Sequence, residues 1–88
     1  MGNDEFLELC KDIVAKLYKE AGKEVTEDNI FISWSTKVLQ NNKALVSTTQ
    51  KDGMYYEITH NGNTKEIYVD VYKKQENIVV KVDEVKGA

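Results

Sequence analysis

The residue types that most often catalyse reactions or hold metals are scarce in this chain. His60 is the single histidine and Cys10 the single cysteine among 88 residues. One histidine cannot build a zinc site, and one cysteine excludes an internal disulfide. The spacing around Cys10 puts it on an apolar helix face, where a thiol packs as a small hydrophobic group. The sequence therefore predicts no catalytic residue, no metal site and no cofactor, with His60 as a general base the one enzymatic alternative.

A second set of residues has the chemistry of binding rather than of reaction. Gln40, Asn41, Asn42 and Lys43 supply three amide side chains and one cation in consecutive positions, and Lys37 lies shortly before them. Amide groups beside ammonium groups can hold a polar or anionic ligand. The other interpretation is structural, since Asn tolerates the left-handed backbone of tight turns. The segment either binds a ligand or only turns the chain.

One amphipathic helix is predicted before these residues, over residues 3–22. Its apolar side chains recur at helical spacing and share one face; they are Phe6, Leu9, Cys10, Ile13, Val14, Leu17 and Ala21. Asn3 is a suitable N-cap, and Gly22 fits the left-handed position that closes a helix. Thr26 is expected to cap a short turn over residues 27–29.

After residue 28 the apolar period changes from 3.6 to 2, which is typical of β-strands. Five strands are predicted, at Asn29–Leu39, Ala44–Thr49, Met54–His60, Lys65–Lys73 and Ile78–Asp83. The turns between them are short, which forces antiparallel pairing of consecutive strands over residues 29–85. Residues 1–88 are thus expected to form a single α+β domain, with one N-terminal amphipathic helix packed on a five-stranded antiparallel meander sheet.

The predicted register assigns each strand residue to one of two sheet faces. The face towards the helix is expected to hold Ile30, Ile32, Trp34, Val38, Leu45, Met54, Tyr56, Ile58, Ile67, Val69, Val71, Ile78, Val80 and Val82. The face away from the helix, the outer sheet face, is expected to hold Phe31, Ser33, Ser35, Lys37, Leu39, Ala44, Val46, Thr48, Tyr55, Glu57, Thr59, Glu66, Tyr68, Asp70, Tyr72, Val79 and Lys81. Tyrosine suits interfaces because it buries a large ring and keeps a hydroxyl. Tyr55, Tyr68 and Tyr72 therefore indicate either an interface or cross-strand packing within the sheet.

Composition narrows the classes of partner and the compartment. The net charge is −3, with twelve basic residues that are all lysine. A nucleic-acid interface usually has a basic stripe that includes arginine, so this balance argues against nucleic acid. No apolar run approaches the roughly 20 residues of a membrane span, and the acidic N-terminus lacks the features of a signal peptide. The sequence predicts a cytoplasmic protein with no membrane partner.

Several short motifs follow one another along the chain, namely WSTKVLQNNKAL, STT, DGMYYE, NG and EIYVD. In this order they resemble a family of small phage and prophage proteins of Gram-positive bacteria, catalogued as a domain of unknown function. The likeness extends over nearly the whole chain, including Phe6–Lys11. Thr36 and His60 depart from the family pattern, which has Cys and Tyr at those places. The resemblance implies a phage origin and residence in the host cytoplasm, and it gives no activity.

Three functions remain open from the sequence. The first is a non-enzymatic accessory protein that binds and blocks or sequesters a host component in counter-defence. Its outer sheet face would contact a host protein or a second copy of the chain in a homo-oligomer, and the turn with Lys37 would make the polar contact. The second is a sponge for a nucleotide-type signal, with tyrosine rings stacked on the base and the phosphate held by Lys37, Lys43, Asn41 and Asn42. The third is a structural or morphogenetic phage component.

Overall fold

The computed structural model describes residues 1–75 and 78–81. Helix α1 spans Asn3–Glu20, and a short 3-10 helix follows at Glu27–Asn29. The strands are β1 at Ile30–Val38, β2 at Asn41–Thr48, β3 at Met54–Asn61 and β4 at Glu66–Lys73. They form one antiparallel sheet in the order β1-β2-β3-β4. Because α1 packs on one face of this sheet, the fold is the predicted α+β arrangement of a helix on a meander.

Within the described residues the sheet has four strands, not the predicted five. The fifth was placed at Ile78–Asp83, but residues 78–81 lie outside any strand, while Val82 and Asp83 lie outside the described residues. Helix α1 lies over β1, β2 and β3. A strand beyond β4 would therefore gain no apolar cover from the helix, and strand propensity depends on such packing.

Helix α1 forms because its apolar residues recur every fourth position. Phe6, Cys10, Val14 and Tyr18 are all buried. They pack on the helix side of the sheet against Ile30, Ala44, Val46, Tyr56 and Ile58. This single cluster is the core of the domain, and burying it supplies the main stabilising free energy.

The ends of α1 differ slightly from prediction. The N-cap is Gly2, with no side-chain cap, so Asn3 as N-cap was wrong. The helix ends at Glu20, and Gly22 takes the expected left-handed conformation at φ 78°. The turn expected after Thr26 is confirmed, since the Thr26 backbone N–H donates to Asn29 Oδ1 at 3.2 Å.

The first hairpin turns earlier than predicted. Val38 pairs with Asn41, which leaves only Leu39 and Gln40 in the loop. Asn41, Asn42 and Lys43 belong to β2, so the turn placed at residues 40–43 was wrong. Two-residue loops favour positive φ at the first loop residue, and Leu39 adopts it with φ 55°. The prediction failed because Leu is a rare residue there, whereas the Asn pair is typical of turns.

The two faces of β2 are also reversed from prediction. The cause is a one-residue shift of its register against β3, where Ala44 and not Leu45 lies opposite Ile58, and such a shift moves every side chain to the other side of a sheet. Ala44 and Val46, predicted on the outer sheet face, are fully buried beneath α1. Thr48 also lies on the helix side, where its hydroxyl is 3.3 Å from the Tyr18 hydroxyl. Leu45, predicted in the core, instead pairs with Glu57 on the outer sheet face.

A β-bulge in β1 changes the faces of that strand halfway along. The register shifts between Ile32 and Trp34, so the intervening serine is an extra residue. Ile30 and Ile32 face α1 as predicted. Beyond the bulge the corrections are Trp34 and Val38, which move to the outer sheet face, and Ser35 and Lys37, which move to the helix side.

Candidate functional site

The outer sheet face carries the largest group of exposed aromatic side chains in the described part of the chain. They come from β1 and β4, and they are Phe31, Trp34, Tyr68 and Tyr72. The half-buried Tyr55 of β3 lies among them. No described helix or strand packs over this face, because α1 occupies the other one. A sheet covered by one helix usually presents small polar and charged residues to water. This sheet presents aromatic rings, so it has the composition of a contact surface.

One row of side chains crosses the sheet near the β2–β3 turn. Cross-strand pairing sets Phe31 opposite Ser47, Ser47 opposite Tyr55, and Tyr55 opposite Tyr72. The Tyr55 and Tyr72 rings are stacked, with centroids 5.2 Å apart and planes 15° from parallel. The pair holds both rings in place, which lowers the entropy that a partner must remove on binding.

The next row contains the centre of the outer sheet face. Trp34 pairs with Leu45, Leu45 with Glu57, and Glu57 with Asp70. Trp34 is the only tryptophan of the chain, and 42% of it is exposed. Lys43 Nζ lies 3.3 Å from Glu57 Oε1. Tryptophan is one of the side chains that most often dominate binding energy at protein interfaces.

The phenol groups of Tyr68 and Tyr72 stay protonated over the physiological range. The charge of Glu57 is the main cause that raises the pKa of Tyr72. The charge of Glu66 is the main cause that raises the pKa of Tyr68. A protonated phenol keeps an O–H group that can donate a hydrogen bond.

The predicted site residues fall into separate places. Tyr55, Tyr68 and Tyr72 lie on the outer sheet face together with Lys43. Lys37 and Asn42 lie on the helix side, and Gln40 lies in the loop. Asn41 is on the same side as Lys43, but its Oδ1 is bonded to the Gly62 backbone. The predicted polar grip is therefore not assembled beside the tyrosines.

Lys37 and Asn42 pair with each other and lie on the helix side of the sheet. Lys37 Nζ lies 3.4 Å from the Met1 carbonyl oxygen, near the start of α1. Asn42 is only 1% exposed. Neither side chain can reach a ligand on the outer sheet face.

Gln40 and Asn41 join the two hairpins at one end of the sheet. Asn41 Oδ1 accepts a hydrogen bond from the Gly62 backbone N–H at 3.2 Å. Gly62 approaches the Gln40 backbone so closely that a Cβ atom at residue 62 would collide with it. The hydrogen bond to Gly62 thus supports the structural interpretation of Asn41.

Sequence reasoning missed a buried polar pair beneath the start of α1. Asn42 is paired with His60, which is 8% exposed. The His60 ring centroid lies 6.4 Å from that of Phe6. Within the described residues, neither the Asn42 amide group nor His60 Nδ1 has a hydrogen-bond partner. The only sequence signal for this pair was the period-2 alternation of β2, once Asn42 is placed inside the strand.

A second polar cluster was also missed, at the opposite end of the core. The Tyr18 hydroxyl donates to Asp52 Oδ2 at 2.5 Å, and the Met54 backbone N–H donates to Asp52 Oδ1 at 3.0 Å. Burial acts to raise the pKa of Asp52, but these hydrogen bonds outweigh it and lower that pKa. The pKa of Tyr18 is raised, mainly by burial and next by the hydrogen bond to Asp52. The cluster connects α1 to the β2–β3 turn, which is a structural role.

The described residues also bear on membranes and metals. None of their helices has the length and apolar character needed to cross a membrane. They contain no group of three or more His, Cys, Asp or Glu side chains arranged to hold a metal ion.

Comparison with known proteins identifies one relationship. The model of a family described as a family of unknown function, DUF6275, matches residues 7–82. No curated protein and no solved structure matches the chain.

Proposed function

The chain belongs to the DUF6275 family, and we propose that it is a non-enzymatic accessory protein that binds and blocks or sequesters a host component. Its outer sheet face makes the contact with a host protein. One observation carries the proposal: aromatic rings from three strands lie on a sheet face that no described element covers. Exposed apolar patches of this kind mark interaction sites in soluble proteins.

The shape of the face supports a protein rather than a small molecule as the partner. Small ligands bind in concave sites that bury most of their surface. The depression beside Leu45, Ser47 and Tyr55 is shallow and open. Trp and Tyr, by contrast, are the side chains that most often dominate protein–protein binding energy. Trp34 and Tyr72 are thus the proposed anchors.

The absence of catalysis is part of the proposal, and the surroundings of the two reactive residue types support it. Cys10 is fully buried, and burial raises the pKa of its thiol to about 12. A thiol in that state is a poor nucleophile at neutral pH. His60 is paired with buried Asn42 beneath Phe6, so a substrate has little access to its ring.

A phage origin and a role in counter-defence are also proposed. Their support is the resemblance of the motifs between residues 34 and 70 to phage and prophage proteins of Gram-positive bacteria. Such a protein would act in the host cytoplasm. Self-association through the outer sheet face remains a prediction, and it would compete with the host partner for the same surface.

A nucleotide-type signal is a second candidate ligand, supported by the stacked Tyr55–Tyr72 pair near Lys43. Exposed aromatic rings stack on bases with little sequence preference. The support is weaker than for a protein partner, because Lys37 and Asn42, which were expected to hold the phosphate, lie on the helix side.

Affinity capture from host lysate tests both candidates. The wild-type chain is compared with Trp34→Ser and Tyr72→Ser, each checked for folding by circular dichroism. Val80→Ser is the matched control, because Val80 is exposed and lies outside the strands. Bound protein and heat-released small molecules are both analysed by mass spectrometry.

The proposal predicts one host protein that is retained by the wild type and by Val80→Ser. The outer-face variants should hold it about thirtyfold more weakly, the effect of removing an interface anchor worth about 2 kcal/mol. Equal retention by all four chains would refute the outer sheet face as the contact surface. A released nucleotide with no retained protein would favour the signal sponge.

A further inference from the structure

The free edge of β4 is open to another strand. Beyond β4, no strand pairs with that edge within residues 1–75 and 78–81. The Lys74 backbone N–H donates to the Gly53 carbonyl at 2.7 Å, which continues the β3–β4 register. In an antiparallel strand, the backbone groups of successive residues point alternately to the two neighbouring strands. The backbone groups of Tyr68, Asp70 and Tyr72 are therefore hydrogen-bonded to β3. The backbone groups of Ile67, Val69 and Val71 therefore point to the open edge.

The two edges of the sheet differ in how they are protected. Edge strands are commonly protected by bulges and lysine side chains, which prevent pairing with other molecules. Strand β1 has both, a bulge after Ile32 and Lys37 near its end. Strand β4 also has a lysine at its end, Lys73, but it pairs with β3 without a bulge over eight residues. The three residues whose backbone groups point to its open edge, Ile67, Val69 and Val71, are all β-branched. Of the two edges, that of β4 is the one without a bulge, and it is the better suited to pair with another strand.

The side chains of the same edge residues are also incompletely covered. Ile67, Val69 and Val71 face the helix side, but α1 lies over the other three strands. Val71 is 54% exposed, whereas Val69 and Ile67 are partly buried at the margin of the core. Open backbone groups and an uncovered apolar strip thus occur along one strand.

We propose that β4 pairs antiparallel with β4 of a second copy of this chain, centred on Val69. The two sheets then become one continuous sheet, with a two-fold axis perpendicular to it. Pairing about this axis keeps the outer sheet faces of both copies on the same side, where they remain free. The inference therefore does not depend on the proposed function.

The β4 sequence is complementary to itself in this register. On the helix side, Ile67 lies opposite Val71 of the second copy, so apolar groups meet apolar groups. On the outer sheet face, Tyr68 lies opposite Asp70 of the second copy, where a phenol can donate to a carboxylate. A centre at Asp70 would instead set two carboxylates opposite each other, which is unfavourable. Because β4 is complementary to itself, we infer that the strand that pairs with its edge is β4 of a second copy.

Light scattering and disulfide trapping test the pairing together. In a hydrogen-bonded pair the two Val69 Cα atoms would be about 5.5 Å apart, which a disulfide spans. The two Val71 positions would be separated by about 14 Å, which it does not span. Val69→Cys should therefore form a disulfide dimer under a mild oxidant, and Val71→Cys should not. The native Cys10 is retained because it is buried.

A charge placed at the edge gives an independent readout. Val71→Lys should convert the dimer to a monomer, while Val38→Lys near the other edge should leave it dimeric. A wild-type chain that stays monomeric up to about 1 mM would overturn the proposal. So would a dimer that survives Val71→Lys and gives no Val69→Cys disulfide, since that result indicates face-to-face association. A monomer with β4 amides protected from hydrogen exchange would show that residues 78–81 of the same chain occupy the edge.

Discussion

At the scale of single residues, two polar clusters mark the two ends of the core. Tyr18 and Asp52 are joined by a short hydrogen bond at one end, and Asn42 is paired with His60 at the other. Both depend on side chains brought together from distant parts of the sequence. No local pattern signals such pairs, which is why sequence reasoning treated Asn42 as a turn residue.

Asp52 should make stability depend on pH in the acid range. Its pKa in the folded state is lowered below the ordinary value, as burial is outweighed by hydrogen bonds. Its contribution is therefore present above the unfolded pKa of about 3.9 and is lost as pH falls through the folded pKa. Asp52→Asn should lower the free energy of unfolding by about 1 kcal/mol at pH 7 and by less in acid.

Urea denaturation at a series of pH values measures this effect as the difference between wild type and variant. Tyr18→Phe is the companion variant, because it removes the donor hydroxyl and keeps the ring. Tyr18→Phe should lower the free energy of unfolding at pH 7 by about as much as Asp52→Asn does. A difference between wild type and Asp52→Asn that stays constant from neutral to acid pH would contradict the assignment.

At the scale of elements, the β1–β2 hairpin decides which residues form the outer sheet face. The helix, the order of four strands and the faces of β3 and β4 follow from apolar periodicity, and they could be predicted. The position of the first turn could not, because Leu39 gives no turn signal and the Asn pair beside it does. The bulge in β1 was equally invisible, since it adds a residue without disturbing the alternation. The bulge hid Trp34, and with it the cross-strand partner Leu45, from the predicted binding face.

The unusual backbone of Leu39 predicts a stabilising substitution. Its φ of 55° lies in the left-handed region, where residues with a Cβ cost roughly 1 kcal/mol and Asn or Gly cost less. Leu39 is 88% exposed, so little packing is lost by replacing it. Leu39→Asn should raise the free energy of unfolding by about 0.5–1 kcal/mol.

Leu39→Ala is the matched control, because alanine removes the side chain and keeps the backbone penalty. It should leave stability within about 0.5 kcal/mol of the wild type. Equal stabilisation by both variants in chemical denaturation would show that the exposed leucine side chain, and not the backbone, was responsible.

The contact between the two hairpin ends predicts that two substitutions lower the stability of the fold. Gly62→Ala forces a Cβ atom against the Gln40 backbone, and such overpacking costs about 1–3 kcal/mol. Asn41→Ala removes the acceptor of the Gly62 N–H and should cost about 1 kcal/mol. Thermal unfolding measures both, with exposed Asn63→Ala as the control. A Gly62→Ala chain as stable as this control would contradict the close approach.

At the scale of the whole molecule, one helix cannot cover a four-stranded sheet on both faces. Helix α1 uses its apolar stripe on β1, β2 and β3, which leaves the outer sheet face and the β4 edge without cover in the described residues. A chain of 88 residues buries only about 60–65% of its unfolded surface, so its stability margin is modest. The two proposed contacts, a partner on the face and a second copy at the edge, use separate surfaces and can occur together.

Pairing through β4 makes stability a property of the dimer. The unfolding temperature should then rise with protein concentration, because association stabilises only the folded state. Val71→Lys should abolish that dependence. A wild-type unfolding temperature that is independent of concentration would argue against a dimer coupled to folding.

The outer sheet face is proposed to hold the partner, and Trp34 reports on that contact directly. As the only tryptophan, it gives a single fluorine resonance when the chain is labelled with fluorotryptophan. We predict that this resonance shifts and broadens when the captured host protein is added to the wild type or Val80→Ser, and stays nearly unchanged for Tyr72→Ser. A resonance that remains sharp and unshifted while the wild-type chain holds its partner would show that the outer sheet face is not the contact surface.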